Sequence, residues 1–165
     1  MDHHPLEQLY DAYYHELYIY VYSLCKSHSA AEDILQETFL KAILSLPETH
    51  GNMRAWLYRV ARNLTFNLMK RDKHRAESKL EPLITQEDEP LEKLLRNETY
   101  QVLYEGITNL SKVKKEVLVM QYFSQLSLKE IAVIMHISPE NVRVIASRAR
   151  KELRTYMEGK EDDLS

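Results

Sequence analysis

Two short helices capped one directly after the other, with room for only a tight turn between them, constrain this chain more than any other feature. Ser127-Leu128-Lys129-Glu130 is a capping box: a hydroxyl and a carboxylate spaced to satisfy the free N–H groups that open a helix. The helix it starts ends near Met135. Ser138 as N-cap and Pro139 at the first helical position then start another, which runs to about Met157. Ala132 is small enough for two helices to cross closely. His136 stands where the turn needs a positive φ, which His adopts more readily than most residues do. Ile131, Ile134, Ile137, Val142, Ile145, Ala146 and Ala149 supply a shared core. The spacing predicts a helix-turn-helix over 127–153.

At 100° per residue the last helix sorts into two sides. Val142, Ile145, Ala146, Ala149 and Leu153 fall on one. Glu140, Arg143, Val144, Ser147, Lys151 and Arg154 fall opposite, with Arg148 and Arg150 on the flanks. A major-groove reader needs this division: an inner apolar stripe, and an outer face that reaches base edges and phosphates. Arginine in particular can contact guanine through two hydrogen bonds.

The rest of the chain is helical as well. Three Gly and five Pro in 165 residues are too few to turn a β-rich chain every 8–12 residues. They also leave no glycine-rich phosphate loop. Leu6, Leu9, Tyr10, Tyr13, Leu17, Tyr20, Val21 and Leu24 recur at helical steps over 6–26. Ser29-Ala30-Ala31-Glu32 reads as a second capping box, opening a helix to about Leu46 with Ala31, Ile34, Leu35, Thr38, Phe39, Ala42 and Ile43 inward. After a loop bracketed by Pro47 and Gly51, a third helix spans about Asn52 to Lys73, with Met53, Leu57, Val60, Ala61, Leu64 and Leu68 inward.

Residues 74–96 hold Pro82, Pro90 and Glu87-Asp88-Glu89, a linker composition. Helix resumes near Leu91, with Leu94, Leu95, Val102, Leu103 and Ile107 as apolar positions. Ser111 caps the next helix, which carries Val113, Val117, Leu118 and Met120. The expected fold is all-α: two small helical domains, 1–73 and 97–158, joined by a flexible acidic linker at 74–96. The second contains the helix-turn-helix, and an acidic tail occupies 159–165.

The net charge of −3 conceals alternation. Residues 47–80 hold eight Lys or Arg against three Asp or Glu, and residues 99–154 hold nine against five. Residues 1–46, by contrast, hold two against seven. The two basic blocks are candidate nucleic-acid surfaces. A single cysteine, Cys25, excludes an intramolecular disulfide and a cysteine-based zinc site; it reads as a small buried hydrophobe in a protein of the reducing cytoplasm. No signal peptide and no 18-residue apolar run is apparent. Nothing pairs a nucleophile with a base or sets out metal ligands, so no catalytic residue, metal or cofactor is expected.

Two further faces are patterned. On the helix over 52–73, Arg59, Arg62, Asn63, Phe66 and Lys70 lie opposite the apolar stripe, and Trp56 sits at the boundary. Interleaved aromatic, amide and Arg side chains suit unstacked bases, although Trp56 could equally pack in the core. On the helix over 29–46, Asp33 and Glu37 stand four apart, where like charges repel, with Gln36, Leu40 and Lys41 beside them. Such a face is either a solvated surface or a dock for a basic partner.

Three segments, in this order, resemble the extracytoplasmic-function group of bacterial RNA polymerase sigma factors in the sigma-70 family. Asp33-Ile34-Leu35-Gln36-Glu37-Thr38-Phe39 is similar to the polymerase-binding segment of the first sigma domain. Arg54-Ala55-Trp56-Leu57-Tyr58-Arg59-Val60-Ala61-Arg62-Asn63 is similar to that domain's strand-opening helix. Leu126 to Ala132 and Ser147 to Leu153 are similar to the second domain's helix-turn-helix.

The resemblance implies a transcription initiation factor with no small-molecule substrate. Asp33, Gln36, Glu37 and Leu40 would bind core RNA polymerase. Trp56, Arg59, Arg62, Asn63 and Phe66 would engage the minus-ten element, and the loop from Leu46 to Asn52 would capture a flipped base. Arg143, Val144, Ser147, Arg148 and Lys151 would face the minus-thirty-five element of promoter DNA. An anti-sigma factor, membrane-anchored in many members, would mask both domains. A free-standing helix-turn-helix regulator would account for 127–153 alone, leaving the helix over 52–73 and the acidic face without a purpose.

Overall fold

The computed structural model describes residues 5–45, 52–76 and 98–164, and every regular element among them is an α-helix. Helices α1 (Pro5–Cys25), α2 (His28–Ser45) and α3 (Met53–Ala76) form one compact unit. Helices α4 (Glu98–Thr108), α5 (Lys112–Tyr122), α6 (Leu128–Met135) and α7 (Pro139–Leu164) form a second. The expected all-α, two-unit architecture is the one adopted. Residues 46–51 of the loop from Leu46 to Asn52 expected to capture a base, most of the acidic linker, and the resumption of helix near Leu91 lie outside the described residues. No helix among those described is long and apolar enough to cross a membrane.

Helix α1 explains why the start of the chain is so rich in tyrosine: it buries two sides at once. Tyr10, Tyr14, Tyr18 and Tyr22, four apart, stack in a ladder along one side, with centroids 4.5, 6.2 and 5.9 Å apart. Phe39 of α2 packs on the ladder's first two rings. On another side Tyr20, fully buried, packs against Tyr58 of α3 at 5.2 Å. These tyrosines are therefore largely core, and only Tyr10 is well exposed.

Two local details depart from expectation. The cap of α2 is Ser27, whose Oγ accepts the Ala30 N–H at 3.3 Å; Ser29 lies inside the first turn. Lys26 takes φ 54°, which reverses the chain directly into Ser27, and the Glu32 carboxylate turns to His28 Nε2 at 3.1 Å instead of capping. Cys25 is half-buried, with its Sγ directed at the Ser27 carbonyl.

Helix α3 is rolled away from the expected stripe. Ala55, Leu57, Tyr58, Ala61 and Thr65 are buried, whereas Met53, Val60, Leu64 and Leu68 are only half-buried. Two polar side chains on the inward face are satisfied in this orientation. The Tyr58 hydroxyl reaches the Glu16 carboxylate at 3.1 Å, and the Thr65 hydroxyl donates to the Ala61 carbonyl at 2.6 Å, so both can be buried satisfied. The helix also continues past Lys73 to Ala76, since no Pro or Gly interrupts it.

In the second unit the helix-turn-helix forms as the capping pattern demands. Ser127 Oγ accepts the Glu130 N–H, and the Glu130 carboxylate accepts the Ser127 N–H, both at 3.1 Å. His136 ends α6 in the left-handed region (φ 58°, ψ 41°). Ser138 then caps α7 by accepting the Asn141 N–H at 3.1 Å. Ala132, Ile131, Ile134, Val142, Ala146, Ala149 and Leu153 are buried; Ile137 and Ile145 are half-buried at the edge of the core. Ser111 precedes α5 without a side-chain cap bond. Val113, in a first turn that lies on the surface, is exposed.

Helices α4 and α7 touch at Gly106. A Cβ there would lie 2.5 Å from Leu153 Cδ1 and 3.0 Å from Tyr156 Cδ1, so a larger residue would force these side chains to shift. Helix α7 runs to Leu164, seven residues beyond the expected end at Met157. Residues 159–164, expected as an acidic tail, continue the helix without an interrupting proline.

Two outcomes follow from these contacts. Ser127→Ala removes the capping bond and should cost about 1 kcal/mol, lowering the melting temperature of the second unit by about 4–8 °C. Burial, with Tyr10 and Glu32 nearby, pushes the Tyr14 hydroxyl up to about 12. An unfolded tyrosine titrates near 10, so the neutral ring stabilises the fold fully below about pH 10, and this contribution is lost as pH rises toward 12. Alkaline melts of the first unit should therefore steepen over that range, and Tyr14→Phe should flatten them.

Candidate nucleic-acid interface and docking face

Packing fixes the roll of each helix, and the roll decides which expected residues face outward. On α2, Ala31, Ile34, Leu35, Thr38, Phe39 and Ala42 turn inward. Asp33, Gln36 and Glu37 are exposed, and neither carboxylate takes an ion pair among the described residues. Leu40 is 54% exposed in line with them. Ile43, expected inward, lies at the surface, and Leu44 is 75% exposed one turn beyond Leu40. The face is thus acidic at one end and apolar at the other. Leu44 was missed at the sequence level, although its spacing of seven from Glu37 and four from Leu40 places it on that stripe.

On α3, the expected residues share one side and differ in exposure. Asn63 is exposed. Trp56, Arg59, Arg62 and Phe66 are half-buried, so each presents an edge to solvent while its remainder packs. The Arg62 guanidinium lies over the Phe66 ring, 4.5 Å from its centroid, which holds both side chains in a preset arrangement. Asn52 caps this helix by accepting the Ala55 N–H at 3.0 Å. At the second helical position, Arg54 Nε donates to Glu16 of α1 at 2.6 Å. The Glu16 carboxylate, bonded also by Tyr58, therefore ties the start of α3 to α1. That tie was invisible in the sequence: Glu16 and Arg54 are 38 residues apart, and neither spacing nor composition links them.

On α7, Arg143, Val144, Ser147, Arg148 and Lys151 are all exposed, with Glu140 and Arg154 on the same outward side. The flank is pinned. Arg150 donates to Gln121 Oε1 of α5 at 3.4 Å, and Lys114 of α5 pairs with Glu152. Lys114 thereby joins Arg148, Lys151, Glu152 and Thr155 around a shallow hollow, adding a cation from another helix to the basic flank. Among the described residues no group of three His, Cys, Asp or Glu side chains is arranged to hold a metal ion.

Comparison with known proteins bears on both units. The Sigma-70 region 2 family matches residues 9–75, and the Sigma-70 region 4 family matches residues 100–153. ECF RNA polymerase sigma factor SigM of Bacillus subtilis (strain 168) is 30% identical over 169 residues, covering 96% of this chain and 99% of its own. RNA polymerase sigma factor YlaC of the same organism is 33% identical over 158 residues, covering 92% and 91%. Among solved structures, the sigma factor RpoE of Bartonella quintana, in complex with the anti-sigma factor NepR, is 22% identical. It aligns with a TM-score of 0.74 over 92% of this chain and 96% of its own. CnrH in complex with the cytosolic domain of CnrY gives 0.69 at 20% identity, over 93% and 88%. These two likenesses concern the fold.

The tie at Glu16 can be tested by itself. Glu16→Ala removes two bonds to a carboxylate, one from the Arg54 guanidinium and one from the Tyr58 hydroxyl. It should cost about 2 kcal/mol, read as a lower denaturation midpoint of the first unit with the second unit unchanged.

Proposed function

Since the chain belongs to the extracytoplasmic-function RNA polymerase sigma factors of the sigma-70 family, we propose how its surfaces divide the work of starting transcription. Residues 1–73 dock on core polymerase and open the minus-ten element. Residues 97–158 hold the minus-thirty-five element, and residues 74–96 link the two. The observation that carries this reading is the outer face of α7, where five side chains suited to bases and phosphates stand exposed together above a closed core.

Each surface has a chemical match. Asp33, Gln36, Glu37 and Leu40 on α2 suit a basic element with an apolar edge on core polymerase. The uncompensated repulsion of Asp33 and Glu37 is relieved when a cation arrives. Asn63, with donors and an acceptor, reads the edge of an unpaired base. Trp56 and Phe66 offer ring surface for stacking, and Arg59 and Arg62 offer charge for phosphates. Arg143, Val144, Ser147, Arg148 and Lys151 enter the major groove.

Separation of the strands then rests on binding energy. Unstacking costs a few kcal/mol and is offset by contacts to the released bases, with no bond made or broken by this chain. Each DNA-facing patch is small and the net charge is negative, so free contacts with DNA are weak and salt-sensitive. Docking on the core enzyme fixes both patches on one promoter, and the second contact becomes intramolecular. We place this action in the cytoplasm. We also infer an anti-sigma partner, on the lead of the two similar folds solved with such proteins.

Run-off transcription with sigma-free core polymerase and a promoter library tests the assignment. Asp33→Lys with Glu37→Lys should lower core-dependent product at least tenfold and weaken core binding in parallel. Arg148→Ala should leave core binding intact while lowering promoter affinity by about five- to 150-fold. Unchanged core binding in the charge-reversed variant would remove α2 from the docking role.

A further inference from the structure

One residue on the outer face of α7 does not match its neighbours. Arg143, Ser147, Arg148 and Lys151 carry hydrogen-bond donors, and Val144 among them carries none, yet it is 45% exposed. It contributes little to the core, which Val142, Ala146, Ala149 and Leu153 close from the other side of the helix. It is not there for helix propensity either, since valine forms helices less readily than alanine. Single exposed valines are ordinary on protein surfaces, so the surroundings must decide whether this one matters.

Those surroundings are specific. Val144 is the sixth residue of a helix that begins at Pro139, within the first two turns that a recognition helix inserts among base edges. It directly follows Arg143 and lies three and four residues before Ser147 and Arg148, so all four lie close together on the helix surface. The other exposed valine of the motif, Val133, belongs to α6, the helix that in this motif crosses the DNA backbone and meets no base edge. In the major groove, base pairs offer donors, acceptors and one kind of apolar group, the C5-methyl of thymine. We propose that Val144 packs on a thymine methyl of the minus-thirty-five element and so determines specificity for an A·T pair at that position. This rests on the assignment of the α7 face to the major groove. The branched side chain is stiff about χ1, so little entropy is lost when it is held against the methyl.

Replacing thymine by deoxyuridine removes that methyl and nothing else. A promoter is first selected from a library with the full chain and sigma-free core polymerase. Each thymine of its minus-thirty-five element, on either strand, is then replaced singly, and holoenzyme affinity is measured by competition. The wild-type chain should lose about fourfold at one position, the worth of one buried methyl group. Val144→Ala should bind the thymine and deoxyuridine forms alike there. Val144→Thr, which keeps one methyl and the branched shape, should retain part of the ratio.

A selected element with no A·T pair, no deoxyuridine penalty at any position, or a penalty undiminished in Val144→Ala would overturn the proposal. Arg143→Ala and Arg148→Ala separate it from the reading beneath it. If they abolish dependence on the element while deoxyuridine has no effect, the methyl assignment alone fails. If they leave that dependence intact, the α7 reading fails and takes the proposal with it.

Discussion

Burial of apolar side chains fixes the roll of each helix, and every outward face proposed for function depends on that roll. Fully buried side chains such as Leu35 on α2, Ala61 on α3 and Ala149 on α7 set the inward direction. The opposite faces then present Asp33 with Glu37, Asn63, and Arg143 with Arg148. A slip of one residue in a helix rotates its face by about 100° and would turn Glu37 or Arg148 toward the core, where an unpaired charge costs several kcal/mol. The interaction faces are in this sense consequences of the core. The few polar ties between helices, such as Glu16 with Arg54 and Tyr58, adjust the roll where apolar packing leaves it loose.

Legibility in the sequence followed the range of the interaction. The helix-turn-helix was legible because its determinants are local: Ser127 with Glu130, Ser138 with Asn141, and His136 at the turn act within three or four residues. The outer face of α7 followed from periodicity alone. Competition between near neighbours was harder to read. Ser27 and Ser29 both suit a cap, and the positive φ at Lys26, a non-glycine residue, decides between them. Long-range contacts were not legible: the burial of Tyr58 depends on Glu16, and the close approach at Gly106 depends on Leu153. Ile43 and Leu44 mark a third limit, because an apolar residue near a helix end can face core or solvent without changing the pattern.

The alternation of charge along the chain gains a physical sense in this scheme. Under the proposed assignment, the acidic face of α2 is the part that would draw the chain to a basic site on the polymerase. Under the same assignment, the two modest basic patches would act on DNA only when held together. Weak separate contacts would then keep the free chain from occupying DNA indiscriminately, because salt weakens each patch separately. The preset Arg62 and Phe66 pair and the pinned flank of α7 reduce the ordering each contact requires on binding.

The measurement that bears most directly on this account compares promoter affinity of the free chain with that of the chain bound to core polymerase, across a salt series. The account predicts weak, strongly salt-dependent and poorly selective binding by the free chain, and promoter-selective binding with strand opening once the core enzyme is present. Tight, salt-resistant binding of duplex DNA by the free chain, with no core-dependent gain in selectivity, would contradict it.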